Sequence, residues 1–479
     1  MPPGRAVSGS AALPATEQAA LLRSGAVSSV ELVREHLDRI ERLNDVVNAV
    51  VTLVPERALA AAEEADARRA RGEPLPPLHG LPIAHKDLVD TAGVRTTYGS
   101  PSFRDHVPDG DELLVTRIRA AGAIMVGKTN TPEWGAGSHT FNPVFGATRN
   151  PWDPSRSAGG SSGGGAVALA CRMLPLADGS DLGGSLRNPA AWSGVVGLRP
   201  TPGVVPSWPS DAPWLPFSVD GPMGRTAGDV ALLLRAMAGP DPRAPLSQRA
   251  APLNLGPSLD ADLRGRRVAW SPSLGGLPVE PAVLTALERA VAGLGDLGLD
   301  VGEDEPDLAG ADTVFETWRA FAFALSLGEL YDSDGGRMKE TVRWNVERGR
   351  ALTVADLTTA TRLHTELCAR TLEFFDRYDY LACPVTQVEP FAVEVEYPAE
   401  VAGVRMGSYV EWMRSCSRVS ATGCPAISIP AGLSATGLPV GLQLVARPFA
   451  ERALLEAAHA LDGLTGYSRL APPVAVAER

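Results

Sequence analysis

Two serines set among glycines, Ser161 and Ser185, stand in the stretch SAGGSSGGGAVALACRMLPLADGSDLGGSLRNP, residues 157–189. Glycine has no Cβ, so such runs allow positive φ and let another molecule approach main-chain N–H groups closely. Runs of Gly and Ser also make flexible linkers. Here an apolar segment, 166–176, follows the first run without a polar spacer, and a second Gly-Gly-Ser comes after it. A linker joins folded units, whereas this stretch leads into a core, with 166–176 expected as a buried helix. A hydroxyl beside close-approach main-chain donors suits acyl transfer, which needs a nucleophile next to groups that stabilise a developing oxyanion.

A serine hydroxyl is a weak nucleophile until something removes its proton. None of the seven histidines carries a motif of its own. His36, His106, His364 and His459 fall in helical or polar contexts expected at the surface. His79 and His85 flank a lysine block, and His139 follows the Trp134 loop. Lysine is the alternative base, because burial can neutralise it while a guanidinium stays protonated. The chain holds only three lysines, Lys86, Lys128 and Lys339, among 44 basic residues, so a retained lysine marks a place that arginine does not serve. Lys86 lies in LHGLPIAHKDLVDTAG, 78–93, on or beside a largely buried strand. Adjacent strand residues face opposite ways, so a Lys86–Asp87 ion pair does not form easily there. Lys128, in GKTNTPEW, lacks the glycine spacing of a phosphate loop.

Helical and strand-like patterns interleave along the whole length. Helices are expected at 16–23, at 31–44 behind a Ser28/Glu31 capping box, and at 226–239, 281–297, 313–331 and 354–378. Strands are expected at 123–127, 194–198, 267–270, 380–384, 426–430 and 441–445, and the Pro/Trp-rich segment 200–222 as a long ordered loop. This pattern predicts one large α/β domain over 16–479, after a loose tail at 1–15. The net charge of −12 argues against a nucleic-acid partner and against a basic membrane-binding face. No apolar run reaches the about 18 residues of a spanning helix, and no secretory leader is visible, so a cytoplasmic protein is expected. Five scattered cysteines without a CxxC pair suggest neither a disulfide framework nor a metal site, and no cofactor is implied.

Three blocks carry a resemblance to a known family: GLPIAHKD (80–87), GGSSGG…GSDLGGSLRNPA (159–190), and GCPAISIPAG with GLPVGLQLVA (423–446). With GKTNTPEW (127–134) and GATRNPWD (146–153), the chain resembles the amidase signature family of serine hydrolases over roughly residues 20–465. The resemblance implies a central mixed β-sheet covered by helices on both faces. It implies Ser185 as nucleophile, Ser161 as a bridging serine preceded by a cis peptide, and Lys86 as general base. The N–H groups of Leu182, Gly183, Gly184 and Ser185 match the oxyanion hole, Asp181 and Arg187 hold that loop, and Ser162 supports the network. From their position in the family pattern, Trp134, Gly135, Ala136, Gly137, Trp208, Trp214, Phe217 and Tyr409 are expected as pocket walls. Ser180 and Cys424 are mild departures, where Thr and Gln are frequent.

The implied activity is cleavage of amide C–N bonds, with apolar or aryl amides suggested by the aromatic walls. Carbamates (a urethanase), nylon-type oligoamides and esters are also allowed. The implied partner is a small-molecule amide, with the chain a monomer or homodimer. Three alternatives stay open. One is the glutamine-hydrolysing component of a tRNA-dependent amidotransferase. Another is an α/β-hydrolase-type esterase, because GGSSG formally satisfies GxSxG with Ser161 as nucleophile. That reading needs a strand just before the motif, and 149–156 is polar and proline-interrupted. The third is an inactive scaffold, against which the intact Lys86, Ser161 and Ser185 speak.

Overall fold

Ile83 and Ala84 are neighbours in the chain and pack into different hydrophobic layers, as the period of two in a strand dictates. The same alternation puts Leu176 on the first side and Ala177 on the second. A sheet with two buried faces must be covered twice, and that requirement organises the molecule. The computed structural model describes residues 9–249, 253–256 and 258–476.

In chain order the strands begin with β1 (Val50–Leu53), β2 (Pro82–Lys86) and β3 (Ile124–Thr129). A small hairpin follows, β4 (Phe141–Asn142) with β5 (Gly146–Ala147), and then β6 (Leu176–Asp181), β7 (Val196–Arg199) and β8 (Val219–Gly224). The second half begins with β9 (Arg267–Trp270), β10 (Asp300–Glu303) and β11 (Tyr380–Pro384). The pair β12 (Glu400–Val401) and β13 (Val404–Arg405) stands apart, and β14 (Ala426–Leu433) and β15 (Pro439–Val445) close the series. Among the described residues eleven strands form one sheet, in the order β1-β3-β2-β6-β8-β7-β14-β15-β11-β9-β10. β2 runs parallel to β3 and β6, β9 runs parallel to β10 and β11, and the other pairs are antiparallel. The fold is a single α/β domain with a mixed central sheet flanked by helices.

The helices Ala227–Met237, Pro281–Asp296 and Glu451–Thr465 cover the face to which Ile83, Leu176 and Ile427 point. The other face carries Gly163–Ala170, every residue of which is buried, and beyond it Ala311–Asp334 and Val354–Phe374. Ser28 opens Ser29–Val47 with the expected capping box, accepting from the Glu31 N–H while Glu31 accepts from the Ser28 N–H. The apolar segment after Ser161 is helix only as far as Ala170, and its end at Leu176 starts β6.

Three expectations change. The loop predicted over 200–222 ends earlier, because β8 begins at Val219 and lies between β6 and β7. Pro222, paired with Asp178, hid this strand, since proline cannot donate to a ladder and argues against a central position. Residues 1–8 of the predicted tail lie outside the described residues. From Gly9 the chain packs: Ser10–Ala12 forms a 3-10 turn, Ala11 is buried, and its N–H donates to Glu35 Oε1 at 3.0 Å. His36, expected at the surface, is fully buried between Met173 O and Gln18 Oε1. Among the described residues no helix is long and apolar enough to cross a membrane.

Candidate active site

Lys86 ends β2, a strand with every residue buried, and its side chain has no exposed surface. The ammonium nitrogen reaches two hydroxyls, Ser161 Oγ at 2.7 Å and Ser180 Oγ at 3.0 Å. Among the described residues no carboxylate forms an ion pair with it. Burial pushes the amine down to about 7, against the pull of the more distant Asp220, Asp181 and Asp178. Such a lysine is part neutral at neutral pH and can take a proton from a neighbour. Asp87 points elsewhere and accepts from Thr97 Oγ1 and N. Asp178 fixes the strand end by accepting from the Lys86 N–H at 2.9 Å and bonding the His85 ring.

Ser161 follows a cis Gly160–Ser161 peptide. The loop before it is pinned by Thr140, whose hydroxyl donates to Gly159 O at 2.8 Å and accepts from the Gly163 N–H at 3.1 Å. The Ser162 N–H donates to Ser185 O at 3.2 Å, so the two serine loops are tied main chain to main chain. Ser162 Oγ donates to Ser180 O at 3.4 Å.

The second loop is built around a buried carboxylate. Asp181 accepts from the Gly184 N–H at 2.8 Å, the Leu186 N–H at 3.1 Å, and Arg187 Nη2 at 2.8 Å. Arg199 approaches the same residue. Burial alone would raise the Asp181 carboxyl, but the two guanidiniums and the N–H donors hold it well below the usual carboxylate range. Arg187 continues the network to Gln443 Oε1 at 2.6 Å and Ser420 Oγ at 2.7 Å. The glycines here are obligatory for two different reasons. Gly184 has φ +117°, which L side chains rarely adopt, while a Cβ on Gly183 would lie 2.5 Å from Phe315 Cζ.

Ser161 and Ser185 open into one cavity of about 120 Å³. The N–H groups of Leu182, Gly183 and Ser185 meet no acceptor among the described residues, while that of Gly184 is taken by Asp181. Of the four N–H groups expected to face an oxyanion, three are thus left without an acceptor in the described chain and one is engaged by Asp181. Two hydroxyls, a lysine able to lose its proton and outward-facing N–H groups are the parts of nucleophilic acyl transfer.

The family model Amidase matches residues 31–455. The chain belongs to the amidase family. It is 35% identical to an acylamidase of Rhodococcus erythropolis over 91% of this chain and 92% of that one. It is 36% identical to a glutamyl-tRNA(Gln) amidotransferase component of Moorella thermoacetica, over 97% and 99% respectively. Among solved structures, a bacterial aryl acylamidase of the amidase signature family superposes with a TM-score of 0.90 at 26% identity, covering 98% of this chain and 99% of that one.

The pocket of this amidase differs from the one expected. Trp134, Gly135 and Gly137 line the cavity, with Trp134 stacked on Tyr98 at 4.6 Å between ring centroids. Ala136 is buried in a satellite cluster with Phe323 and Leu327. Trp208 does not line the cavity; its carbonyl accepts from the Leu113 N–H. Trp214 is 69% exposed and lies away from it. Phe217 is buried against Trp318 and His364, and Tyr409 stands behind the wall with its hydroxyl on Arg319 and Asn345. The walls that sequence reasoning missed are Leu88, Ser218, Arg319 and Phe323. One signal was available: Ala311, Phe315, Arg319, Phe323 and Leu327 recur every fourth residue, a buried stripe of helix Ala311–Asp334 interrupted by a cation.

The elbow alternative fails on geometry. The residues before Ser161 are irregular, with only isolated bridges at Arg156 and Ser157, and no histidine bonds either site serine among the described residues. His139, the nearest by motif, binds Ser157 Oγ and Val393 O instead. Among the described residues no group of His, Cys, Asp and Glu is placed to hold a metal ion.

Proposed function

We propose that this amidase hydrolyses carboxylic amides through an acyl-enzyme on Ser185, with Lys86 as base and Ser161 as relay. The observation that carries the reading is the 2.7 Å contact between Lys86 Nζ and Ser161 Oγ, in a site where no described residue forms an ion pair with the lysine. Neutral Lys86 takes the Ser161 proton, and Ser161 takes the Ser185 proton as that oxygen attacks the carbonyl carbon. Negative charge on the former carbonyl oxygen falls to the N–H groups of Leu182, Gly183 and Ser185. The proton returns through Ser161 to the amide nitrogen, the C–N bond breaks, and an amine leaves. Water then attacks the ester on Ser185 by the same proton route and releases a carboxylic acid.

Apolar or aryl amides are the favoured substrates. Trp134, Leu88, Phe323 and Met413 in the cavity wall support this, as do the acylamidase and aryl acylamidase relatives. Carbamates and esters present the same carbonyl to the same nucleophile. The test is a fluorophosphonate adduct mapped by mass, alongside turnover of an acyl anilide. An adduct on Ser185, absent from Ser185→Ala together with turnover, is expected. An adduct on Ser161 that survives in that variant would overturn the mechanism.

The amidotransferase relatives support a second reading, a glutamine-hydrolysing component working with a partner chain. Glutamine as the preferred substrate of the purified chain, over any anilide, would favour it.

A further inference from the structure

Resting on that hydrolase reading, we propose that Arg319 makes this amidase selective for amides that carry a carboxylate, which its guanidinium binds. Of the described residues that line the cavity, Arg319 alone is charged. Its side chain is buried, at 4% exposure, yet it forms no ion pair among the described residues. A buried, unpaired cation is costly, and the usual compensation is a carboxylate in bidentate contact.

What holds Arg319 is one-sided. Nε and Nη2 both donate to the Tyr409 hydroxyl, at 3.2 and 2.6 Å, while the guanidinium lies 4.7 Å from the Phe323 ring centroid and 5.5 Å from that of Tyr409. Tyr409 is itself fixed by Asn345 Nδ2 at 2.6 Å. The group is thus oriented by an oxygen and two aromatic faces, none of which neutralises it. Nη1 has no acceptor in the described chain and keeps some exposed surface, and Arg319 lines the cavity, so donors remain for a ligand there. An arginine presents a planar fork of five N–H donors, of which Tyr409 engages two. The remaining donors suit the two oxygens of a carboxylate.

The position on the helix supports a role in substrate choice rather than in the bond-breaking step. Phe315, one turn before Arg319, packs where a Cβ on Gly183 would stand, so the oxyanion loop fixes this helix face. Arg319 therefore faces the cavity at a fixed place relative to Ser185. The carboxylate belongs to the acyl half or to the leaving amine, and two probes separate these sources.

The experiment compares N-phenylsuccinamic acid, with the charge on the acyl half, and 4-acetamidobenzoate, with the charge on the amine half, against neutral butyranilide and acetanilide. Binding is measured by calorimetry on Ser185→Ala, and turnover on the wild type. One charged probe is expected to bind about tenfold or more tightly than its neutral counterpart, equivalent to about 1.4 kcal/mol. The preference should weaken with added salt, fall toward parity in Arg319→Gln and persist in part in Arg319→Lys. The effect should sit in KM more than in kcat. Equal or weaker binding of both charged probes to Ser185→Ala, with neutral anilides still hydrolysed by the wild type, would overturn the assignment to Arg319 and leave the hydrolase reading standing. A preference that survives in Arg319→Gln would also overturn it. If no anilide is hydrolysed but a charged probe still binds through Arg319, the hydrolase reading fails and the carboxylate site stands.

Discussion

Lys86 Nζ, at the end of β2, lies 2.7 Å from Ser161 Oγ, although 75 residues separate the two in the chain. Both are buried, at 0% and 2% exposure. The proposed relay would turn this otherwise expensive burial of a lysine to use as a base.

The protonation state of Lys86 sets the pH dependence. Its amine is held at about 7 by burial, and in the proposed relay the working form is the neutral one. Amide kcat/KM should therefore rise with pH through about 7 and level off above it. Lys86→Ala should lower anilide turnover by about 10²–10⁴-fold, the usual range for a lost acid–base group, and ester turnover by less. Equal losses on matched amide and ester substrates would remove Lys86 from the proton relay.

The same burial has a stability signature. With its pKa lowered on folding, Lys86 binds a proton more readily in the unfolded chain between pH 7 and 10.5, so its cost is full below 7 and shrinks as pH rises. Lys86→Met should abolish turnover yet raise stability by about 1–4 kcal/mol at pH 6, by analogy with apolar replacement of buried charges. Thermal melts at pH 6 and pH 9.5 check the sign. The gap between variant and wild type should be smaller at the higher pH.

Asp181 behaves in the opposite sense. Its carboxyl is depressed in the folded protein, so its contribution is present above the unfolded value of about 3.9 and is lost as pH falls through the lower folded value. Asp181→Asn leaves Arg187 and Arg199 buried without a counter-charge and should cost about 3–5 kcal/mol in denaturant unfolding. A loss within experimental error of zero would mean that the arginines find other acceptors.

For the pocket, Trp134→Ala should raise KM for aryl amides several-fold more than Trp214→Ala does. Trp134 lines the cavity and stacks on Tyr98, while Trp214 stands in solvent. Steady-state kinetics on one anilide decide the matter, and a larger effect from Trp214 would place the aryl group outside the cavity described.

The residues of the proposed relay were more legible in the sequence than the cavity walls. Lys86, Ser161 and Ser185 sit in local patterns of scarce lysine and dense glycine, and the structure brings Lys86 to Ser161 and opens both serines into one cavity. The interleaved apolar runs were sufficient to read an α/β sheet. Pro222 concealed β8 because one residue type outweighed its neighbours. Arg319 and Phe323 escaped notice because their helix is far along the chain, and only tertiary packing brings its stripe to the cavity. Trp208 and Trp214 were placed by their position in the family pattern, and such a position does not say which way a loop side chain faces.

Phe315 against Gly183 and Arg319 on the cavity wall belong to one helix, while Lys86, Ser161 and Ser185 all come from the first two hundred residues. The proposed bond-cleaving residues and the proposed carboxylate-binding Arg319 thus come from separate stretches of polypeptide, with Gly183 against Phe315 one of the places where they meet. Drift in the later stretch can retune what this scaffold accepts while leaving its reaction intact, provided that the aromatic ring opposite Gly183 is kept.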